Sequence, residues 1–499
     1  GEHGDGIVRS EFHGPMFGQR MVAAFETAKA IFDPKELLNP GKIVRPYRMD
    51  DRTLLRYPPG YAHLPVKPGL DWSAWGGFPH AVEMCNNNGE CRKATGGVMC
   101  PSFRVTAEEK DSTRGRANTL RLALSGQLGP AALLGEAMAE TLKLCVGCKG
   151  CKRECPTGVD MARMKIEVLH QRNERRGVPL AERVVASLPR WAAWAQRLRG
   201  LARLRDSVPG LAWLSERLLG FSARRSLPIW SAEPFRPGEE AATNPVAPSG
   251  AVALLADTFN IWFEPENLRA AVRVLQAANL TVTVAAPPDG ERPLCCGRTY
   301  LAAGMVEEAR GEMRRTAAAL APLLAQGMPV LGLEPSCLMT FRDELLAVLP
   351  GRESEALSKR AFLLEEYLAA EAKAGRLALP LRALPEATAL LHGHCHQKAF
   401  GAMGAVEQVL RLVPGLAVKT VDSSCCGMAG AFGYRAETID ASFAMGELSL
   451  LPAVRTAAPG ALVVADGTSC RHQIHDGAGR AAVHVAIVLE RALAATGAR

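Results

Sequence analysis

The second half of the chain alternates short apolar runs with longer amphipathic stretches. Ala251 to Ala256, Thr281 to Ala285 and Val330 to Leu333 read as strands, with helical periodicity over Pro265 to Ala278 and Met305 to Ala325. The same order returns in Thr388 to Leu391, Ala417 to Val421 and Leu462 to Ala465. Such alternation predicts parallel α/β units, and two copies that overlay predict an internal duplication. Ahead of them, Pro228 to Pro248 reads as a Pro-rich linker, preceded by a helically spaced stretch broken at Pro179, Pro189 and Pro209 and, further upstream, by cysteine-bearing turns.

Candidate chemistry sits in those turns. Cys145, Cys148, Cys151 and Cys155, followed by Pro156, spell C-x-x-C-x-x-C-x-x-x-C-P. This spacing wraps three thiolates around one iron–sulfur cluster and sends the fourth to a neighbour. A zinc knuckle, the alternative, needs four ligands at one ion and leaves no purpose for an offset fourth cysteine. Upstream, Cys85, Cys91 and Cys100-Pro101 form a stretched partner run whose second ligand position falls on Asn88. Crossed ligation assigns Cys100 with Cys145, Cys148 and Cys151 to one complete cubane and leaves Cys85, Cys91 and Cys155 to the other. That second cluster is then a three-iron form, or a four-iron form completed by Asn88 or water.

In the duplicated half every cysteine falls just past the carboxyl end of an expected strand, where open parallel sheets bind ligands. Copy one carries Cys295-Cys296-Gly297 and Cys337; copy two carries Cys395 between His394 and His396, then Cys425-Cys426-Gly427 and Cys470. Adjacent cysteines aim at one centre only if the next residue tolerates unusual backbone angles, as glycine does. Copy two thus offers four thiolates and is the first expected metal site. Copy one offers three, with Asp257 where the second copy has Cys395. A fifth ligand, a zinc ion held with Asp257, and a substrate or quinone pocket all stay open for it. His394 and His396 read as ligands or as hydrogen-bonded supports.

Composition narrows the class. The 499 residues suffice for several sizeable cores. The fourteen cysteines all lie in short motifs, as ligands do, which implies a reducing compartment and a cytoplasmic location. No apolar run approaches the roughly 18 residues needed to span a bilayer. The formal charge of +8 is local, because residues 163–225 hold fourteen Lys/Arg against five Asp/Glu. No recognition motif accompanies it, which sets nucleic acid aside. Trp191, Trp194, Trp213 and Trp230 lie in and just beyond this stretch. It reads either as a connector packed on its own protein or as a peripheral contact with the anionic inner face of the cell membrane, near a quinone pool.

The paired C-C-G segments resemble the tandem cysteine-rich domains of glycolate oxidase and lactate-utilisation iron–sulfur subunits and of heterodisulfide reductase, which bind an unusual four-iron cluster. In heterodisulfide reductase each such domain ends in a close cysteine pair; Cys337 and Cys470 are single. At the other end, Gly1-Glu2-His3-Gly4-Asp5-Gly6 and Leu38-Asn39-Pro40-Gly41-Lys42 resemble the last stretch of the FAD-linked oxidase C-terminal domain of D-lactate, glycolate and D-2-hydroxyglutarate dehydrogenases. By that resemblance Glu2 helps hold a divalent metal that grips the substrate, His3 takes the hydroxyl proton as hydride leaves for flavin, and Asn39 and Lys42 belong to the cofactor-binding part.

The resemblance implies a mixed fold. Residues 1–50 would be the tail of an α+β FAD-linked oxidase C-terminal domain, 75–175 an α-helical two-cluster 4Fe-4S ferredoxin-type domain and 176–249 a basic, Trp-containing connector. Residues 250–385 and 386–499 would be tandem parallel α/β cysteine-rich domains. It also implies a fused FAD and iron–sulfur D-2-hydroxyacid dehydrogenase, with two ferredoxin-type clusters and one more in the cysteine-rich pair, delivering electrons to a quinone or other acceptor. Gly1 reads as the middle of a domain, so the chain is expected to be a fragment that neither holds FAD alone nor turns over a small 2-hydroxyacid. Two other classes stay in view. A separate electron-transfer subunit of a quinone- or disulfide-reducing complex has no use for Glu2, His3 or the 39–42 turn, and a zinc-binding interaction protein would be separated by metal analysis.

Overall fold

The computed structural model describes residues 4–239, 250–287 and 292–494, in two compact units, Gly1–Leu64 and Pro65–Arg499. The first unit starts with helices Gly6–Arg9, His13–Phe17 and Gln19–Phe32. Buried His13 ties its start to its later chain, with Nε2 3.0 Å from Asp5 Oδ2 and Nδ1 3.1 Å from the Ile43 carbonyl. Asp33 stops the long helix and accepts from the backbone N–H groups of Leu37 and Leu38, each at 2.9 Å.

The second unit opens with a helical module. Helices Phe78–Glu83, Pro101–Thr106, Thr113–Leu124, Glu136–Lys143, Gly150–Glu154 and Met161–Arg176 surround the cysteine-bearing turns. Ser112 and Asp160 cap two of them by accepting from Gly115 and Arg163 backbone N–H groups, satisfying donors that the first turn leaves free. Buried Glu167 anchors the chain's entry, accepting from Gly69 N–H, Leu70 N–H and Trp72 Nε1–H at 2.9, 3.1 and 2.9 Å. Four short helices, Leu180–Ala186, Leu188–Arg197, Arg199–Ser207 and Leu211–Leu219, make up the basic connector.

Beyond the connector, Trp230 and Phe235 are buried, and the Trp230 ring lies 4.4 Å from that of Phe263 and 5.9 Å from that of Trp191. The Pro-rich stretch is therefore packed on the α/β half as far as residue 239, where Glu239 accepts from Arg269 Nε at 2.7 Å. Its remainder, 240–249, lies outside the described residues. Trp194 and Trp213 are exposed, so the connector's aromatic residues divide between core and surface.

Two all-parallel sheets follow. Strands β1 (Gly250–Leu254), β2 (Leu280–Val284), β3 (Val330–Gly332) and β4 (Ala361–Leu363) pair in the order β2-β1-β3-β4. Strands β5 (Thr388–Leu391), β6 (Ala417–Thr420) and β7 (Leu462–Val464) pair in the order β6-β5-β7. The six expected strands are present, and β4 is an addition. Equivalent backbone bonds fix the overlay of the copies: Leu255 N–H donates to Leu331 O as His392 N–H donates to Val464 O, both at 2.8 Å. A single parallel bridge, Val464 to Val483, stands in copy two where β4 stands in copy one.

The copies exchange helices. Pro265–Ala277 of copy one packs on Val485–Ala492 of copy two, and Met403–Leu410 of copy two packs on Leu364–Lys373 of copy one. This reciprocity is that of an isologous dimer within one chain. One apolar core runs through both, with Leu275, Leu368, Val406 and Leu489 fully buried in it. Among the described residues no helix is long and apolar enough to cross a membrane.

Candidate functional site

None of the fourteen cysteines is in a disulfide. Cys100, Cys145, Cys148 and Cys151 line one small cavity of about 20 Å³. The four come from two places: Cys100 starts helix Pro101–Thr106, and the others ride the loop into helix Gly150–Glu154. Lys149 holds that loop in a left-handed turn at φ 61°. Burial, then the neighbouring Cys395, pushes the Cys148 thiol well up, and burial does the same at Cys151. Neutral thiols are thus favoured until a cation compensates their ionised form.

Fixed cations stand close by. Fully buried Arg116 reaches Cys100 Sγ at 3.6 Å while its other nitrogens donate to Thr141 O at 2.9 Å and Ser102 Oγ at 3.1 Å. Lys165 Nζ donates to the Cys145 carbonyl at 2.6 Å. Lys149 itself is buried and paired with Asp160 at 3.0 Å, Asp343 at 2.8 Å and Glu344 at 3.2 Å. Burial would discharge it, but these three carboxylates raise its pKa above the ordinary lysine value.

The stretched upstream run is equally enclosed, with Cys85 and Cys91 both buried. Cys91 accepts from Arg114 N–H at 3.3 Å, and burial raises it, with the charges of Cys100 and Cys85 adding to that rise. The amide nearest Cys85 belongs to Asn87, whose Oδ1 lies 3.8 Å from Cys85 Sγ. Asn88, the expected ligand position, turns elsewhere, with Oδ1 accepting from Glu90 N–H at 2.9 Å and Nδ2 donating to Asn86 Oδ1 at 2.5 Å. Cys155 is half-buried beside Thr157 Oγ1 at 3.4 Å.

In copy two the four thiols form one hydrogen-bonded set, Cys395 with Cys425, Cys425 with Cys426, and Cys426 with Cys470 at 3.5 Å. A bond from Cys425 holds the Cys395 thiol down at about 6, and bonds from Cys425 and Cys470 hold Cys426 well below its usual value. Two thiolates are therefore stabilised within the set. His392 adds a fifth donor: one of its ring nitrogens and the sulfurs of Cys426 and Cys470 lie within 4.8 Å of one another. Burial drives this imidazole down to about 4, so it is neutral. Sequence reasoning stopped at His394 and His396 and missed it. The signal available was a histidine placed directly after the buried run Leu390-Leu391.

Copy one differs. Cys295, Cys296 and Cys337 are also adjacent, yet all three are raised, Cys337 to about 12. Asp257 caps helix Thr258–Trp262, accepting from Phe259 and Asn260 backbone N–H at 3.0 and 3.1 Å and from Asn260 Nδ2 at 2.7 Å. His394 is its counterpart, capping helix Cys395–Ala399 and accepting from His396 N–H at 3.1 Å. Thr258, not Asp257, thus occupies the place of Cys395, and both Asp257 oxygens already have donors.

The two sulfur sites touch. Cys148 shares a buried cluster with Cys425, Cys426 and Cys470, with Cys395 packed against it. The Gly147 carbonyl is held by His396 Nε2 of copy two at 3.2 Å and approached by Arg298 Nη2 of copy one at 3.5 Å. The loop is clamped from both sides.

In the first unit, Asn39 and Lys42 line an open pocket of about 400 Å³ together with Lys29 and Phe25. Glu2 and His3 lie outside the described residues.

Residues 81–159 match the 4Fe-4S dicluster domain, and residues 1–43 match the C-terminal domain of FAD linked oxidases. The chain is thus related to iron–sulfur, FAD-linked oxidoreductases and joins pieces of both kinds in one polypeptide. Among individual proteins, it is 24% identical to a D-2-hydroxyglutarate dehydrogenase of Escherichia coli and 26% identical to one of Pseudomonas putida, each over 95% of this chain and 49% of the relative. It is also 27% identical to a subunit of the anaerobic glycerol-3-phosphate dehydrogenase of Escherichia coli, over 58% of this chain and 71% of that protein. The chain spans about half the length of the D-2-hydroxyglutarate dehydrogenases it matches.

Proposed function

We propose that this chain is the iron–sulfur electron-transfer portion of a FAD-dependent D-2-hydroxyacid dehydrogenase. One observation carries the proposal: Cys100, Cys145, Cys148 and Cys151 surround a single cavity, and Cys148 abuts the thiol set of copy two. The donors fit an iron–sulfur group, since soft thiolates are gathered beside Arg116 and Lys165, whose charges offset an anionic cluster. When bound, such clusters take up and release electrons singly, the form in which a two-electron flavin must be emptied. The protein's own contribution is placement. Burial keeps water from the sulfurs, and the clamp on Gly147 holds Cys148 against Cys395.

In the same proposal Cys85, Cys91 and Cys155 hold the second ferredoxin-type cluster and copy two holds a third. Copy one, whose thiols stay protonated, shapes the surroundings. Glu2 and His3 keep the metal-holding and proton-accepting roles given above, and Asn39 and Lys42 face the flavin side. The acceptor is a quinone or another oxidant at the α/β half, reached from the cytoplasmic side of the membrane through the basic connector. Because the relatives are named for it, D-2-hydroxyglutarate is the first acid to test.

Similarity to a protein named as one subunit of a different dehydrogenase favours a second reading, a separate electron-transfer subunit without 2-hydroxyacid chemistry. Anaerobic expression with the coding region upstream of Gly1 separates the two. D-2-hydroxyglutarate, D-lactate or glycolate should bleach flavin absorbance and then reduce the clusters. Clusters intact but unreduced by every acid would leave the subunit reading in place, and zinc in place of iron and acid-labile sulfide would end both.

A further inference from the structure

We propose that His392 is a nitrogen ligand of the metal centre held by Cys395, Cys425, Cys426 and Cys470, an inference that rests on that centre being present. Among the described residues, the one group of three potential ligand atoms mutually within 4.8 Å is His392, Cys426 and Cys470. The ring is 1% exposed, and its two nitrogens are treated differently. Nδ1 lies 2.9 Å from Ser423 Oγ, which Lys398 Nζ also engages at 3.0 Å. Nε2 makes no hydrogen bond of ordinary geometry among the described residues, and the ring interacts instead with the Cys426 sulfur. A buried ring nitrogen without a full hydrogen bond is costly, and a metal removes the cost. Assigning the ring proton to Nδ1, as donor to Ser423, leaves the Nε2 lone pair free, the arrangement in which a supporting group orients a ligating imidazole.

The duplication supplies a control. Leu255 occupies the register of His392 in copy one, where it is buried in the apolar core. The fold therefore accepts leucine at this strand end, and the histidine in copy two is not there to complete a sheet. His394 Nδ1 caps a helix and His396 Nε2 faces the Gly147 carbonyl; His396 Nδ1 also lacks a hydrogen-bond partner among the described residues, but only His392 lies within 4.8 Å of two cysteine sulfurs. Ligation by Nε2 displaces no proton from the ring, whereas each thiol must lose one. Beside four thiolates the neutral imidazole adds no charge, so it tunes the centre as a donor to the metal and not through the net charge.

The full chain, prepared anaerobically with ¹⁵N-labelled histidine and natural-abundance controls, is studied by pulsed EPR of each paramagnetic centre and by redox titration. A directly coupled histidine nitrogen is expected in the signal that Cys426→Ser abolishes. In His392→Leu, which installs the residue found in copy one, that nitrogen coupling should vanish and the potential of the centre should shift. Absence of the coupling in the wild-type chain, or its persistence with an unmoved potential in His392→Leu, would overturn the inference while leaving the centre in place. If Cys426→Ser changes neither iron content nor any signal, the underlying centre is what fails. The wild-type spectrum decides the matter even where a variant does not fold.

Discussion

Lys149 shows what one residue does in this protein. Its charge sits inside, beside Cys148, balanced by Asp160 from its own module and by Asp343 and Glu344 at the end of copy one's Cys337-bearing segment. Replacing it with methionine strips one cation from three buried carboxylates, of which Asp343 keeps Lys152 and Arg163 and Glu344 keeps Arg298, so the loss should stay below the roughly 3–5 kcal/mol of a fully broken buried pair. Lys149→Met is expected to lower the urea midpoint accordingly and to loosen the loop, seen as faster amide exchange at Gly147 and Cys148. Glu264 gives a pH signature. Burial would raise its carboxyl, but the Arg471 guanidinium, 2.8 Å from Nε to Oε1, overrides this and holds it at about 2 against an ordinary 4.5. A depressed carboxyl stabilises fully above its unfolded value and loses that contribution as pH falls toward the folded one. Glu264→Gln should therefore cost roughly 3 kcal/mol near neutrality. The gap to wild type should close between about pH 5 and pH 2; one that stays constant would exclude the ion pair as its cause. Cysteine spacing was legible at this scale because ligand motifs are local. The partners of Lys149 were not, since Asp343 is distant in sequence, nor was His392, whose meaning depends on sulfurs brought to it by other strands.

At the scale of elements, most strands could be read from apolar runs, because strands buried on both faces need no polar alternation. Strand β4 could not: Ala361–Leu363 is three residues between two helices, too short for any period to register. The two C-C-G turns were recognised as equivalent, and their glycines do adopt positive φ, 80° at Gly297 and 90° at Gly427. Their surroundings differ. A Cβ on Gly427 would sit 2.1 Å from the Ser442 carbonyl oxygen, and one on Gly297 would sit 3.1 Å from that of Ala309. Gly297→Ala should cost about 1–2 kcal/mol for its left-handed backbone, and Gly427→Ala distinctly more because backbone must also move. Thermal midpoints of the two variants test this, and equal losses would show that the contact at Gly427 relaxes freely.

For the α/β half as a whole, the repeat announced two copies, but not that they would trade helices. Amphipathic faces at 265–277 and 485–492 look alike whether they cover their own sheet or the neighbour's, so periodicity alone had no means of choosing. The shared core has a consequence for cooperativity. Leu489, fully buried on the copy-two helix that packs against copy one, touches both halves' stability. Leu489→Ala should cost about 2–5 kcal/mol and reduce amide protection in β1 and β5 together, within one unfolding transition. Loss of protection confined to β5, β6 and β7 would mean that the halves unfold separately.

Clamping of the 145–151 loop also dictates an order of assembly. Cys148 is only 8% exposed, and His396 grips the Gly147 carbonyl from the far half of the duplication. After that half has closed, ferrous ions and sulfide have little access to Cys148. Maturation is therefore expected to begin while the C-terminal half is still unfolded. Chain folded in iron-free medium should resist later soaking, whereas renaturation with both inorganic reagents present should yield the brown, loaded form.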